Sequence, residues 1–482
     1  MLPFVGFDGC TAASCTPERR GEFATESVPP THHPPQNPNA IVRSSYNVPH
    51  VPDALLREMR VTPRATADYG PPPAAFPVYS KVGAYYRLPR TLGRARLGRA
   101  KKNVCNEGSA AFEAAAGESK IALREYQTEA VDRILQEFGR GPGHDCMLEA
   151  SCGSGKTVMA LEAVSRWKKC TAIVVHKDFL LAQWKERIES FLPHAKVGLV
   201  QQTVCDYEGK DVVLCMLHSI VQRTYPAEFF ARVGVVVVDE CHHIAARTFS
   251  LVLRNFSAAH RLGLSATPDR KDGLGHVVHW LLGPVVFRIK RRVAAAVGVT
   301  VDVLRHTPAW REVRTRTGKI LFTKMITSMV EDEARTVKIV QQIVRLVRAG
   351  RRVLVVSDRR KHLNDMAARL PTSIDSAQYV GETTKTKKRA REDNKNASVL
   401  FTTYSMGEEG LDVNGLDTLV LTTPRKSLEQ IVGRILRGNG LHPPKIVDVV
   451  DQLSIFIGMA RGRARWFESK GYTYFGAKTS TK

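Results

Sequence analysis

The sequence predicts an α/β chain built of two doubly wound parallel-sheet domains in tandem, and three observations carry that prediction. Short runs of Val, Ile and Leu, apolar on both faces, alternate with helical segments after residue 121: 172–175, 212–215, 233–238, 353–357, 399–402, 418–421 and 446–450. Runs of this kind suit parallel strands covered by helices on both sides. They fall into two groups on either side of a charged stretch, and each group is long enough for a doubly wound sheet. The third observation is a glycine-rich loop, Ala150-Ser151-Cys152-Gly153-Ser154-Gly155-Lys156-Thr157, lying between an apolar stretch and a helix-like segment.

Taken in order, residues 1–75 are rich in Pro, Ala, Ser and Thr and lack sustained periodicity, so they are expected to be disordered or loosely folded. Only 51–60 hints at a short helix. Residues 76–120 read as a basic arm or linker. From Phe76 to Lys102 stand eight cations (Lys81, Arg87, Arg90, Arg94, Arg96, Arg99, Lys101, Lys102) and no acid, with Tyr79, Tyr85 and Tyr86 interleaved. That pattern fits a nucleic-acid-binding arm equally with a solvated linker. Residues 121–290 form the first sheet domain, 291–335 an inter-domain linker, and 336–475 the second sheet domain.

The chain has 482 residues, a formal net charge of +24 and a pI of about 9.8. An excess of cations this large points to a polyanionic partner. Nine scattered cysteines form neither a disulfide framework nor a zinc module, which fits a reducing compartment. No signal peptide is recognisable at the N-terminus, and no apolar run is long enough to span a bilayer. The expectation is a soluble intracellular protein with no membrane partner.

The glycine-rich loop carries the first piece of chemistry. Its glycines let backbone N–H groups wrap phosphates at the positive end of a helix; Lys156 can reach the β and γ oxygens, and the Thr157 hydroxyl can ligate Mg²⁺. The run 233–238 then delivers Asp239 and Glu240 to the carboxyl end of a buried strand, where ligands sit in open parallel sheets. Asp239 is suited to the Mg²⁺ hydration shell and Glu240 to orienting and deprotonating water. The neighbouring Cys241, His242 and His243 suggest zinc, but adjacent residues leaving a strand diverge and no second ligand cluster exists. In the second domain, helical spacing puts Gln430, Arg434 and Arg437 on one face. Guanidinium groups supplied from a second domain can neutralise charge on a transferred phosphoryl group.

On these motifs the chain resembles superfamily 2 nucleic-acid helicases of the DExH type, over about residues 123–471, with Asp239-Glu240-Cys241-His242 as that box. The resemblance implies RecA-like domains, ATP and Mg²⁺ as cofactors, and nucleic acid as partner. It implies that Gln127 reads the adenine edge and that Ser265-Ala266-Thr267 links the γ-phosphate to the nucleic-acid path. It also places Gly410 and Asp412, in the turn Ser405–Asp412, near the nucleotide ribose or an inter-domain contact. His176-Lys177-Asp178 with Gln183-Trp184 resembles the segment that contacts the strand backbone, although Trp184 itself is better suited to helix–sheet packing. The segment 263–273 looks like the XPB-type branch, with poxvirus transcript-release and phage branch-migration helicases among its members; Lys271 stands where some of them carry Glu.

The resulting expectation is an ATP-dependent DNA helicase or translocase moving 3′ to 5′, monomeric, working with transcription or replication machinery. Its location in a host nucleus or cytoplasm is left open should the source be a large DNA virus. An RNA helicase acting on transcripts is the nearest alternative, and an ATPase-inactive nucleic-acid-binding factor the alternative from another class. The run Lys385–Arg391 is read as a phosphate-contacting or solvated face.

Overall fold

The computed structural model describes residues 23–27, 36–64, 73–112, 120–151, 153–242, 247, 249–266, 272–291, 298–380, 396–411, 413, 415–425, 427–436 and 441–475. Cys152, His243, Thr267, Lys271, 385–391, Asp412 and Arg437 lie outside the described residues.

The first sheet domain contains α3 (Glu125–Gly139), β9 (Cys146–Ala150), α4 (Lys156–Trp167), β10 (Thr171–Val175), α5 (Asp178–Phe191), β11 (Val197–Gln201), β12 (Val204–Asp206) and β13 (Val212–Met216). It continues with α6 (Leu217–Gln222), α7 (Ala227–Arg232), β14 (Val235–Asp239), a 3₁₀ turn (Phe249–Arg254), β15 (His260–Ser265), α8 (Gly275–Leu282) and β16 (Val285–Arg291). Strand order is β16-β9-β15-β14-β10-β13-β11, all parallel, with β12 antiparallel on one edge and β1 (Phe23–Ser27) antiparallel on the other. The central strands β10, β13 and β14 are buried almost throughout. Helices cover both faces, which is why these strands read as unbroken apolar runs. The order also sets the carboxyl ends of β9, β15 and β14 side by side, and these ends carry the glycine-rich loop, Ser265 and Asp239.

The second domain contains β17 (Thr300–His306), α9 (Phe322–Glu331), α10 (Glu333–Arg348), β18 (Val353–Ser357), α11 (Arg360–Ala368), β19 (Ser376–Tyr379) and β20 (Val399–Thr403). Then follow α12 (Tyr404–Gly410), β21 (Thr418–Leu421), α13 (Glu429–Ile435), β22 (Lys445–Asp451), α14 (Ile455–Ser469) and β23 (Thr473–Phe475). Its sheet is parallel, in the order β19-β20-β18-β21-β22-β17-β23. The linker expected over 291–335 is corrected here: β17 inserts between β22 and β23, so this sheet begins at Thr300. Most side chains of β17 are only half-buried, and it therefore lacks the apolar run that marks the other strands.

The N-terminal expectation is corrected as well. Residues 36–64 and 73–112, expected to be loose chain or a basic arm, fold into β2 (Gln36–Val42), β3 (Tyr46–Val48), α1 (Asp53–Glu58), β4 (Arg60–Val61), β5 (Phe76–Pro77), β6 (Ser80–Val82), β7 (Tyr85–Leu88), α2 (Arg90–Leu97) and β8 (Arg99–Asn103). The sheet order is β6-β7-β3-β2-β8, with a separate β4-β5 pair. A small core of Val42, Tyr46, Val48, Leu55, Met59, Leu88 and Leu92 holds it together. Gly93 lets α2 lie on the Tyr46 ring, since a Cβ there would meet Tyr46 Cγ at 2.3 Å. No strand of this sheet contributes more than two buried core residues, too few to display a sustained period of two.

This unit is welded to the first sheet domain. The Arg90 guanidinium, fully buried, donates to both Asp145 carboxylate oxygens and to the Ala258 carbonyl at 2.7 Å. In the opposite direction, buried Arg261 of β15 donates to the Ser44 carbonyl at 2.6 Å. Arg94 donates to the Gly143 carbonyl at 2.7 Å. The buried Arg90 charge is tolerated because the Asp145 carboxylate meets it directly.

Candidate nucleotide site and inter-domain cleft

The glycine-rich loop leaves β9 and turns into α4 through two left-handed glycines, Gly153 at φ 82° and Gly155 at φ 90°. Gly155 has a second reason to lack a side chain: a Cβ would stand 2.3 Å from Gln127 Nε2. Ser154 is buried and locks the turn, its hydroxyl donating to the Ser151 carbonyl at 2.7 Å. Lys156 opens α4 and its Nζ lies 3.1 Å from the Ala150 carbonyl and 3.7 Å from Glu240 Oε1. Ala150 is buried at the end of β9, and Thr157 is half-buried one residue into the helix.

Gln127 braces the loop from α3. Its Nε2 donates to the Ser154 carbonyl at 2.9 Å and its Oε1 accepts from the Arg124 N–H. Each end of the amide keeps one hydrogen-bonding position beyond these. One donor and one acceptor are what an adenine edge takes from a glutamine. Tyr126 adds a second bond to the Ser154 carbonyl at 3.2 Å.

Asp239 and Glu240 arrive at the end of β14 next to Lys156. Burial and the charge of Glu240 raise the Asp239 carboxyl, while Lys156 and the Trp184 indole oppose the rise. Trp184 is buried in α5, and its Nε1 donates to Asp239 Oδ2 at 2.9 Å. That contact was not recognisable in the sequence, where the two residues are 55 positions apart. Glu240 sits at φ 47°, a left-handed conformation costing about 1–3 kcal/mol, which the surrounding packing must sustain. His242 Nδ1 lies 3.4 Å from Glu240 Oε2 and 3.2 Å from Ser265 Oγ, linking the acidic pair to the end of β15. Cys241 is buried with its sulfur 4.0 Å from Met147 Sδ, packed in the core; burial pushes its thiol up.

Among the described residues the buried Ser151 hydroxyl has no hydrogen-bond partner, and Glu240 Oε2 has only the 3.4 Å approach of the His242 ring. A hydroxyl donor, a helix N-terminus and an ammonium beside two carboxylates make a donor set for phosphate oxygens and a hydrated cation.

In the second domain Gly407 permits α12 to approach α13, because a Cβ would stand 2.6 Å from Ile431 Cδ1. Arg434 is buried and donates to the Glu408 carbonyl and, at 2.8 Å, to the Leu411 carbonyl. It thus ties α13 to the turn containing Gly410. Gln430 is half-buried one helical turn earlier. Across the cleft, Lys177 Nζ donates to Ser405 Oγ at 3.2 Å, joining the turn before α5 to α12.

Two RecA-like sheets, the first carrying a phosphate loop and an acidic pair and the second an arginine helix, define an ATP-hydrolysing nucleic-acid helicase. Family models bear on the same two regions: Type III restriction enzyme, res subunit, over residues 120–270, and Helicase conserved C-terminal domain over 335–439. A candidate ATP-dependent RNA helicase of Acanthamoeba polyphaga mimivirus, L396, is 28% identical over 441 residues, covering 88% of this chain and 83% of the relative. A candidate ATP-dependent RNA helicase of African swine fever virus, QP509L, is 25% identical over 397 residues, 75% of each chain. The DNA 3′-5′ translocase XPB2 of Sulfurisphaera tokodaii is 36% identical over 169 residues, 35% of this chain and 36% of the relative. The chain belongs to the superfamily 2 helicases and is related to those of large DNA viruses. No helix among the described residues is long and apolar enough to cross a membrane.

Proposed function

We propose that the chain is an Mg²⁺-dependent DNA helicase or translocase that moves 3′ to 5′. The observation that carries the DNA reading is the segment 263–273, whose pattern resembles the XPB branch, together with the similarity to a DNA translocase. Lys156 binds the β and γ oxygens, and the phosphate-loop backbone from Ala150 to Thr157 cradles the triphosphate. Thr157 and Asp239 would hold Mg²⁺, which offsets phosphate charge. Glu240 orients and deprotonates the attacking water. Gln127 reads adenine, while Gly410 and Asp412 serve the nucleotide ribose or an inter-domain contact. Gln430, Arg434 and Arg437 act from the second domain, with Arg437 placed on the phosphoryl group and Arg434 holding the turn that supports it. Closing and opening of the cleft ratchets the bound strand. Transcription or replication machinery is the proposed setting, and a monomer the proposed form.

An RNA helicase is the second reading, favoured by the names of the two viral relatives. Both polymers meet such motifs through phosphates, so the choice shows in turnover. ATPase stimulation by single-stranded DNA, duplex DNA and RNA should be strongest with DNA. Stimulation by RNA alone would sink the DNA reading. In the same assay Glu240→Gln should bind ATP without turning it over, and Lys156→Ala should bind it weakly.

A further inference from the structure

Of the eight cations between Phe76 and Lys102, three are already engaged with partners in the protein, Arg96 at its surface. Arg90 is paired with Asp145, Arg94 with the Gly143 carbonyl and Arg96 with Glu58. Others share one side of the N-terminal sheet. Arg87 on β7 stands opposite Asn47 on β3, Asn47 opposite Ile41 on β2, and Ile41 opposite Lys102 on β8. Neighbouring positions Leu88, Tyr46 and Val42 fill the core, so this row faces outward. The next row holds Tyr85 opposite Val82, which are 42% and 48% exposed. Arg87 and Lys102 are exposed and three strand spacings apart, about 14 Å.

A second observation comes from the first sheet domain. Arg254, at the end of the 3₁₀ turn, shares a shallow cleft with Arg87, Ser44, Ser45 and Ser250. Burial and the charge of Arg87 both disfavour the Arg254 cation. Among the described residues neither arginine forms an ion pair. The Ser45 and Ser250 hydroxyls are turned to Asn47 Oδ1 and the Arg247 carbonyl, so the two guanidinium groups, with no carboxylate paired to them among the described residues, are what suits an anionic oxygen.

We propose that this outer face is a second nucleic-acid site, which takes a single-stranded segment with phosphates at Arg87, Arg254 and Lys102 and a base stacked on Tyr85. A solvated face would not need an exposed tyrosine and valine beside the cations, whereas bases stack on such a platform. Because Arg90 and Arg261 weld this unit to the first sheet domain, a strand held here moves with that domain while the second domain shifts. The proposal rests on the chain's being a nucleic-acid motor, but on neither its ATP chemistry nor its DNA preference.

The test is fluorescence anisotropy of a labelled oligothymidylate with the full chain, without nucleotide, across a salt series. Tyr85→Ala should weaken binding at least about fivefold, the lower end for one stacked base. Arg87→Ala combined with Lys102→Ala should flatten the slope of log affinity against log salt by about 1.4, from about 0.7 per phosphate on single strands. All three residues are exposed or on the surface rim, so melting temperatures should stay with the parent's. Unchanged affinity in Tyr85→Ala, or an unchanged slope in the double variant, overturns the proposal. Strand-stimulated ATP turnover in the parent protein alongside such a result would overturn this second surface alone and leave the motor reading standing.

Discussion

Trp184 shows how much of the site depends on single side-chain contacts that no motif announces. Its indole N–H donates to Asp239, a carboxylate that burial already disfavours. Trp184→Phe keeps the packing in α5 and removes the donor. A hydrogen bond to a charged group contributes roughly 1.5–3 kcal/mol, so ATP turnover should fall about tenfold or more. Nucleotide affinity should change little, because Lys156 and the phosphate loop are untouched. A fall in affinity with turnover unchanged would show that Trp184 serves the fold and not the carboxylate. The residues of the phosphate loop were legible because their spacing is local. The Trp184–Asp239 bond was not, because it exists only once α5 packs beside β14. Arg434 was legible as a cation on a helix face, yet its engagement with the Glu408 and Leu411 carbonyls follows from the approach of α12 to α13.

At the scale of elements, His260 of β15 holds α3 and α4 against the sheet. Its ring stacks on Phe138 of α3 at 4.5 Å and meets Trp167 of α4 edge-on at 5.0 Å. Burial pulls its pKa from 6.5 down to about 4, only partly opposed by the hydrogen bond to the His144 carbonyl. The neutral ring is therefore what this packing requires. Its contribution is fully present above pH 6.5 and is lost as pH falls through about 4, because the unfolded chain takes up the proton first. About 3 kcal/mol of stability should disappear across that window, from 1.36 kcal/mol per pKa unit. Denaturant titrations at pH 7 and pH 4.5 should show the loss, and His260→Phe should reduce it. An equally steep loss in His260→Phe would place the acid sensitivity elsewhere, for instance at His362 in α11, pulled down to about 3 by burial. The strands around His260 were readable because both faces are buried. β17 was hidden by its half-exposed side chains, and the N-terminal sheet by strands of three to seven residues, two of whose four pairings join strands distant in sequence.

For the whole molecule, the weld between the N-terminal unit and the first sheet domain changes what a minimal motor is. Asp145 lies directly before β9, the strand that presents the phosphate loop, and its charge is neutralised by Arg90 from the N-terminal unit. A fragment spanning 120–291 would leave Asp145 and Arg261 without these partners, and breaking a buried pair from one side costs about 3–5 kcal/mol. That fragment should aggregate or melt far below the full chain. A fragment spanning 1–291 retains the weld and should fold and bind ATP through Lys156, yet hydrolyse it negligibly, since the arginine helix is missing. In the full chain, Arg437→Lys and Arg434→Lys should separate. Lysine cannot reproduce a planar multi-donor group. Arg437→Lys should therefore cost on the order of 10³ in turnover with unchanged thermal stability, as for a finger that acts only on the phosphoryl group. Arg434→Lys should lower turnover and also destabilise the second domain, because buried carbonyls at Glu408 and Leu411 lose charged donors. Calorimetry beside ATPase rates distinguishes the two. Strand-stimulated hydrolysis by fragment 1–291 at the full chain's rate would remove the second domain from the chemistry, and with it the closing cleft that converts hydrolysis into movement.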